Sequence, residues 1–241
     1  MIAKSVVVVG GSHGIGFEIV RRELNYGAKV TVISRTLGRL PELNFVDSSL
    51  LTHIVIDVCS EPLAEEQLPE QIDGFVYCPG SINLGSLRAA KPETLRSDFE
   101  LNVVSAMTCF QAALKPMNRS ENASAVFFST VAAKLGIPMH TSIAASKAAI
   151  EALVRTWAAE LAPKIRVNCI APALIDTRLA QRLLQTDVKR ASMAAQYPLG
   201  RIGVPDDCAA LAEFLISNSS RWITGQIYGV DGGLSSILKA P

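Results

Sequence analysis

The run Val6-Val7-Val8-Val9, followed at once by Gly10-Gly11-Ser12-His13-Gly14-Ile15-Gly16, constrains this chain more than any other stretch. Four valines in a row leave no polar face, so both sides of the segment must be covered. That is the pattern of a strand inside a parallel sheet with helices on either side. Glycines then let the chain turn tightly. Apolar residues return at helical spacing at Ile15, Ile19, Val20 and Leu24, and Gly27 marks a stop. A helix that opens on such a turn offers free N–H groups and a positive dipole end, and the missing side chains let its backbone approach a pyrophosphate. The turn therefore predicts a dinucleotide site at Gly10, Ser12, His13, Gly14, Ile15 and Gly16, the competing reading being a tight turn with no ligand.

The same alternation continues downstream. Strands are expected near Lys29–Ile33, Thr52–Ile56, Gly74–Cys78, Ala125–Ser129, Ile165–Ile170 and Gln226–Val230. Long helices are expected over 92–115, 142–162 and 205–217, the last opened by Pro205 with Asp206 and Asp207 in its first turn. Seven strands alternating with helices predict an α/β fold, a doubly wound Rossmann sheet of parallel strands with helices on both faces. No linker or repeat divides the chain, so residues 1–241 read as one domain. The irregular stretch 171–204 reads as a substrate loop or lid.

Bulk properties exclude several classes of function. With 49% hydrophobic and 19% charged residues and a net charge of +1, the chain suits a large core and offers no nucleic-acid or membrane surface. Its five cysteines are scattered and never form a C-x-x-C pair, which points to inert thiols in a reducing, cytoplasmic setting. Neither a signal peptide nor a membrane-spanning run is expected. His13, His53 and His140 lack ligand spacing, so no metal is expected.

The turn spacing G-x-x-x-G-x-G resembles that of the short-chain dehydrogenase/reductase family, and further segments extend the resemblance over almost the whole chain. Asp57-Val58 looks like that family's adenine-contacting site. Tyr77-Cys78-Pro79-Gly80 stands where the family has N-N-A-G and keeps the glycine. Asn102 matches its active-site asparagine. Arg166-Val167-Asn168-Cys169-Ile170-Ala171-Pro172, with Ile175 and Thr177, matches the segment that holds the nicotinamide amide and phosphates. Pro198-Leu199-Gly200-Arg201 and Val230-Asp231-Gly232-Gly233 match its C-terminal signatures. The second strand ends Ser34-Arg35, where an NAD-selective site would place a carboxylate. Arg35 suits a 2′-phosphate, with Ser34 and His13 as further donors, so NADP(H) is expected over NAD(H).

The resemblance breaks at the catalytic helix. The family carries Y-x-x-x-K, with residues four apart on one helix face. Its lysine holds the nicotinamide ribose, its tyrosine protonates the substrate oxygen, and a serine thirteen residues upstream bonds the same oxygen. Here Ser146-Lys147 supplies the lysine, Ile143 stands in the tyrosine's place, and Thr130 keeps a hydroxyl in the serine's place. An isoleucine neither donates nor accepts a proton. Three readings follow. The chain reduces a polarised C=C bond with Thr130 as oxyanion donor, as in the dienoyl-CoA reductase branch. Or it reduces C=O with another acid, His140 or Tyr197. Or it is a nucleotide-binding pseudoenzyme with a regulatory or structural role. In each of the first two the partner is a small molecule. Apolar Leu179, Leu183 and Leu184 beside Arg178, Arg182, Lys189 and Arg190 suit an acyl or carboxylate-bearing substrate. Alanine-rich helix 142–162 and the Val230–Gly233 region resemble the family's interfaces and imply a homodimer or homotetramer.

Overall fold

The computed structural model describes residues 3–44 and 47–238. Seven strands form one sheet: β1 (Ser5–Val9), β2 (Lys29–Ser34), β3 (Leu51–Val55), β4 (Gly74–Tyr77), β5 (Ala123–Phe128), β6 (Ile165–Pro172) and β7 (Ile227–Val230). Their order is β3-β2-β1-β4-β5-β6-β7, and every pairing is parallel. The architecture is thus the doubly wound Rossmann sheet. The chain winds one way from β1 to β3 and the other way from β4 to β7. The switch falls between β1 and β4, where a crevice opens beyond the C-terminal ends of the strands.

The valines of β1 show why the strand is central. Val7 and Val9 point to one face and Val6 and Val8 to the other, and all are at most 1% exposed. Val7 and Val9 join a core with Phe110 and Met117 of α3 (Ser105–Asn118) and Ile150 and Val154 of α4 (Thr141–Leu161). Val6 and Val8 join a second core with Phe17 and Val20 of α1 (Gly14–Asn25) and Cys208 and Leu215 of α6 (Pro205–Leu215). Two apolar layers against one sheet fix the register of the strand, because a slip of one residue would exchange them.

Two expectations change. The helix expected over 92–115 is a longer run, α2 (Pro92–Phe99) continuing into α3 through a π-helical turn at Glu100–Val104. The Ser105 N–H bonds the Glu100 carbonyl, five residues back instead of four. The stretch 171–204 is less irregular than expected. It contains the end of β6, a 3₁₀ segment at Arg178–Leu183 and the two-turn helix α5 (Asp187–Ala194), whose Thr186 hydroxyl caps Lys189 N. Among the described residues no helix is long and apolar enough to cross a membrane.

Candidate active site

The glycine turn lies where the sequence places it. Gly10 (φ +78) and Gly14 (φ +54) use backbone conformations that side chains resist. A Cβ on Gly16 would overlap the Gly10 carbonyl oxygen, and one on Gly14 would press on Thr177 Cγ2 at 3.3 Å. The turn is therefore bare backbone, closed on one side by Thr177. The Ser12 hydroxyl lies 3.1 Å from His13 Nδ1, and the next loop folds over both, with Arg39 N donating to the Ser12 carbonyl at 3.0 Å. Ile15 packs against the α1–α6 core.

The ends of β2 and β3 bring the expected adenine side together. Arg35 is exposed and has no ion-pair partner among the described residues. Its neighbour Arg39 is committed instead, with its guanidinium 4.2 Å over the Phe17 ring and 2.7 Å from Glu42. Ser34 is less free than expected. Its hydroxyl donates to Thr36 O and lies 2.9 Å from His53 Nε2. Asp57 accepts from Cys59 N at 3.1 Å, and Val58 packs against the core.

Across the switch point, α4 and the π turn assemble the other half. Lys147 is 6% exposed, and its Nζ donates to Phe128 O at 2.8 Å. Burial lowers its pKa to about 8, partly offset by the neighbouring Cys169, Cys78 and Asp98. Asn102 sits inside the π turn. Its Nδ2 donates to Asp98 O at 2.8 Å and reaches Ser146 Oγ at 3.4 Å, while its Oδ1 is buried without a donor. Gly80 leaves a hollow between the two. A Cβ there would stand 3.6 Å from Lys147 Nζ and 3.7 Å from Asn102 Oδ1. An orphaned acceptor and a buried ammonium facing one side-chain-free hollow suit a polyhydroxy group such as a ribose, which both accepts and donates. With the bare turn at Gly10–Gly16, the residues present fit a nicotinamide dinucleotide. Pro172 closes β6, and Ile175 pairs with Gly203 beyond it.

The possible acids are placed differently. Ile143 is buried yet belongs to neither packed core. Thr130 follows β5, and its Oγ1 accepts from Ala132 N at 3.3 Å, which leaves its O–H free to donate. His140 caps α4 after Met139, whose φ of +71 is a left-handed corner. His140 Nδ1 donates to Pro138 O at 2.7 Å, so Nε2 becomes a donor only when the ring is charged. Tyr197 is buried, which raises its pKa. Its oxygen accepts from Leu174 N, and it lines a cavity of about 320 Å³ with Leu199 and Gly232, whose lining includes neither Lys147 nor Ile143.

Sequence reasoning missed the most connected group here, Asp98. This carboxylate is 1% exposed. It accepts from Ser81 Oγ at 2.5 Å, Asn83 Nδ2 at 2.7 Å and Ser142 Oγ at 2.5 Å. The one available signal was its position four residues before Asn102, on the same helix face.

Comparison with known proteins agrees with this geometry. The family model described as Enoyl-(Acyl carrier protein) reductase matches residues 9–235. The chain is 32% identical over 246 aligned positions to the 3-oxoacyl-[acyl-carrier-protein] reductase FabG of Chlamydia muridarum, covering 98% of both. The chain belongs to the short-chain dehydrogenase/reductase family. It is an oxidoreductase by kinship, of a family that binds nicotinamide cofactors. Another relative, at 34% identity over 91% of this chain and 100% of its own length, is the inactive 2-(S)-hydroxypropyl-CoM dehydrogenase 2 of Xanthobacter autotrophicus. Among solved structures, ElxO with NADP bound superposes with a TM-score of 0.89 at 25% identity, covering 98% of this chain and 100% of that one.

Proposed function

We propose that this short-chain dehydrogenase/reductase is an NADP(H)-dependent reductase of a polarised C=C or C=O bond with a non-standard proton donor, and that conjugated C=C is its first substrate class. The carrying observation is the pairing of buried Lys147 and the unsatisfied Asn102 Oδ1 across the Gly80 hollow, with buried, apolar Ile143 one helical turn away. Lys147 and Asn102 hold the ribose and nicotinamide side. Gly10, Ser12, His13, Gly14, Ile15, Gly16 and Thr177 hold the phosphates. Arg35, unpaired at the end of β2, holds a 2′-phosphate, and Asp57 and Val58 border the adenine. The NADP-bound neighbour supports this choice of cofactor.

When bound, the reduced nicotinamide supplies a hydride. In reduction of an enone or enoyl group, negative charge would develop on the conjugated oxygen. The free hydroxyl of Thr130 stabilises that oxygen, and water protonates the adjacent carbon, so no side-chain acid is required. Reduction of C=O needs an acid at oxygen. His140 provides one only as the imidazolium, and Tyr197 faces another cavity. The description of the matching family model favours the C=C reading, while the FabG relative keeps C=O in view. NADPH consumption against matched enones and ketones tests the proposal: faster turnover of the enones supports it. Tight NADPH binding with no turnover on either class would replace it with a second reading, a nucleotide-binding pseudoenzyme, which the inactive Xanthobacter relative favours.

A further inference from the structure

A cleft of about 470 Å³ begins two residues past Gly80 and runs to Ser142, the neighbour of Ile143. That volume is in the range of small-molecule sites. One wall is apolar: Ile82, Leu84 and Leu95, the last two held more than a third exposed. The floor is polar. Ser142 and Asn83 line it, and both are pinned from below by Asp98. At the rim stand Lys91 and Arg182, and the lining contains no carboxylate.

The charges do not cancel locally. Asp98 is already met by three donors and by the field of the Lys147 ammonium. Glu93, the acid nearest in the chain, faces Arg96 at 3.5 Å. Lys91 and Arg182 have no ion-pair partner among the described residues, whereas Arg190, expected with Arg182 on a basic rim, is tied to Asp176 at 2.6 Å. Two uncompensated cations over an apolar wall attract an anion that carries an apolar stem.

We propose that this cleft binds the anionic end of an amphiphilic substrate, with an acyl-type stem on Ile82, Leu84 and Leu95 and a carboxylate or phosphate between Lys91 and Arg182. Asp98 acts as a positioning residue, holding Ser142 and Asn83 against the stem's polar junction. The inference rests on the reductase reading for the fate of the ligand, but its test measures binding and needs no turnover.

The experiment titrates octanoate, octanoyl-CoA and uncharged octanamide into the full chain by calorimetry. Either anion binds about tenfold or more tightly than octanamide, and its affinity falls as salt rises. Tight octanoate assigns a carboxylate to the rim, and tight octanoyl-CoA with weak octanoate assigns a phosphate. The double variant Lys91→Gln/Arg182→Gln lowers affinity for the anion about tenfold and leaves octanamide unchanged. Equal binding of charged and neutral probes, no binding of any probe, or anion affinity unchanged in the double variant would overturn the proposal. NADPH binding without octanoate or octanoyl-CoA binding overturns the cleft alone. Anion binding without NADPH binding overturns the reductase reading alone.

Discussion

Between Gly10 and Gly16 the site is made of backbone, whereas along α4 it is made of side chains. At the turn's glycines, positive φ angles at Gly10 and Gly14 and a close approach at Gly16 resist a Cβ. On α4 and the π turn, Lys147, Asn102, Ser146, Ser142 and Asp98 are held by one another and by nearby carbonyls. A surface of backbone amides can hold a phosphate but cannot be retuned by substitution without distorting the chain. A surface of side chains can carry a different chemical group at one position, such as Ile143, while its neighbours keep their bonds. The two halves therefore answer mutation differently.

The largest effect is expected at the turn. Gly16→Val overlaps the Gly10 carbonyl oxygen, and overpacking there costs about 1–3 kcal/mol or more. NADPH binding, followed by fluorescence, should disappear, and near-normal affinity would show that the turn is not the phosphate site. Next comes Thr130→Ala, which should lower enone turnover about 10²–10³-fold with NADPH affinity retained. A greater loss in His140→Ala would move the decisive role to the imidazole. Ile143→Tyr introduces an acid one helical turn before Lys147 and should raise ketone reduction about 10²-fold or more. No gain there would mean that the missing acid is not the only thing that separates this site from ketone chemistry.

The proposed cofactor contacts come next in size. Lys147→Ala should weaken NADPH about tenfold to a hundredfold, the worth of charged hydrogen bonds. The sign of its pH dependence follows from its lowered pKa. Lys147 is an ammonium below about 8 and a neutral amine above it, so NADPH affinity should fall as pH rises past that point. Lys147→Ala should flatten this profile, and a slope that survives in the variant would assign it elsewhere. Arg35→Ala should lower the NADPH-over-NADH preference about tenfold, and an unchanged ratio in paired titrations would leave the 2′-phosphate to other groups.

Most of the sheet was legible in the chain. The strand expected at Thr52–Ile56 is Leu51–Val55, and that expected at Ala125–Ser129 is Ala123–Phe128. In the central strands, runs of β-branched and aromatic residues buried on both faces leave few alternatives, while the half-exposed edge strand β3 was legible from its β-branched residues alone. The glycine turn was legible for the same kind of reason, since its backbone geometry requires residues without side chains. The Asp98 cluster was not. Ser81, Asn83, Asp98 and Ser142 are ordinary polar residues, and only the packing of α2 against α4 and of the loop after β4 against Asp98 brings them together. Lys91 was missed likewise, and of the four cations expected on a basic rim Arg182 lines the cleft while Arg178, Lys189 and Arg190 lie off it.

The π turn at Glu100–Val104 was invisible because it changes the helix by a single residue. Its consequence concerns length. A turn that accommodates one extra residue offsets everything after it by roughly 100° of rotation relative to an uninterrupted helix. The face that α3 shows the sheet and the direction in which Asn102 looks toward α4 are thus set by counting residues between Phe99 and Ser105. Many side chains in that interval can be exchanged at modest cost. Deleting one of them would let the turn close into ordinary α-helix with the α3 face kept on the sheet, whereas closing it at full length would rotate that face by the same angle, so the extra residue and the widened turn have to be kept or lost together.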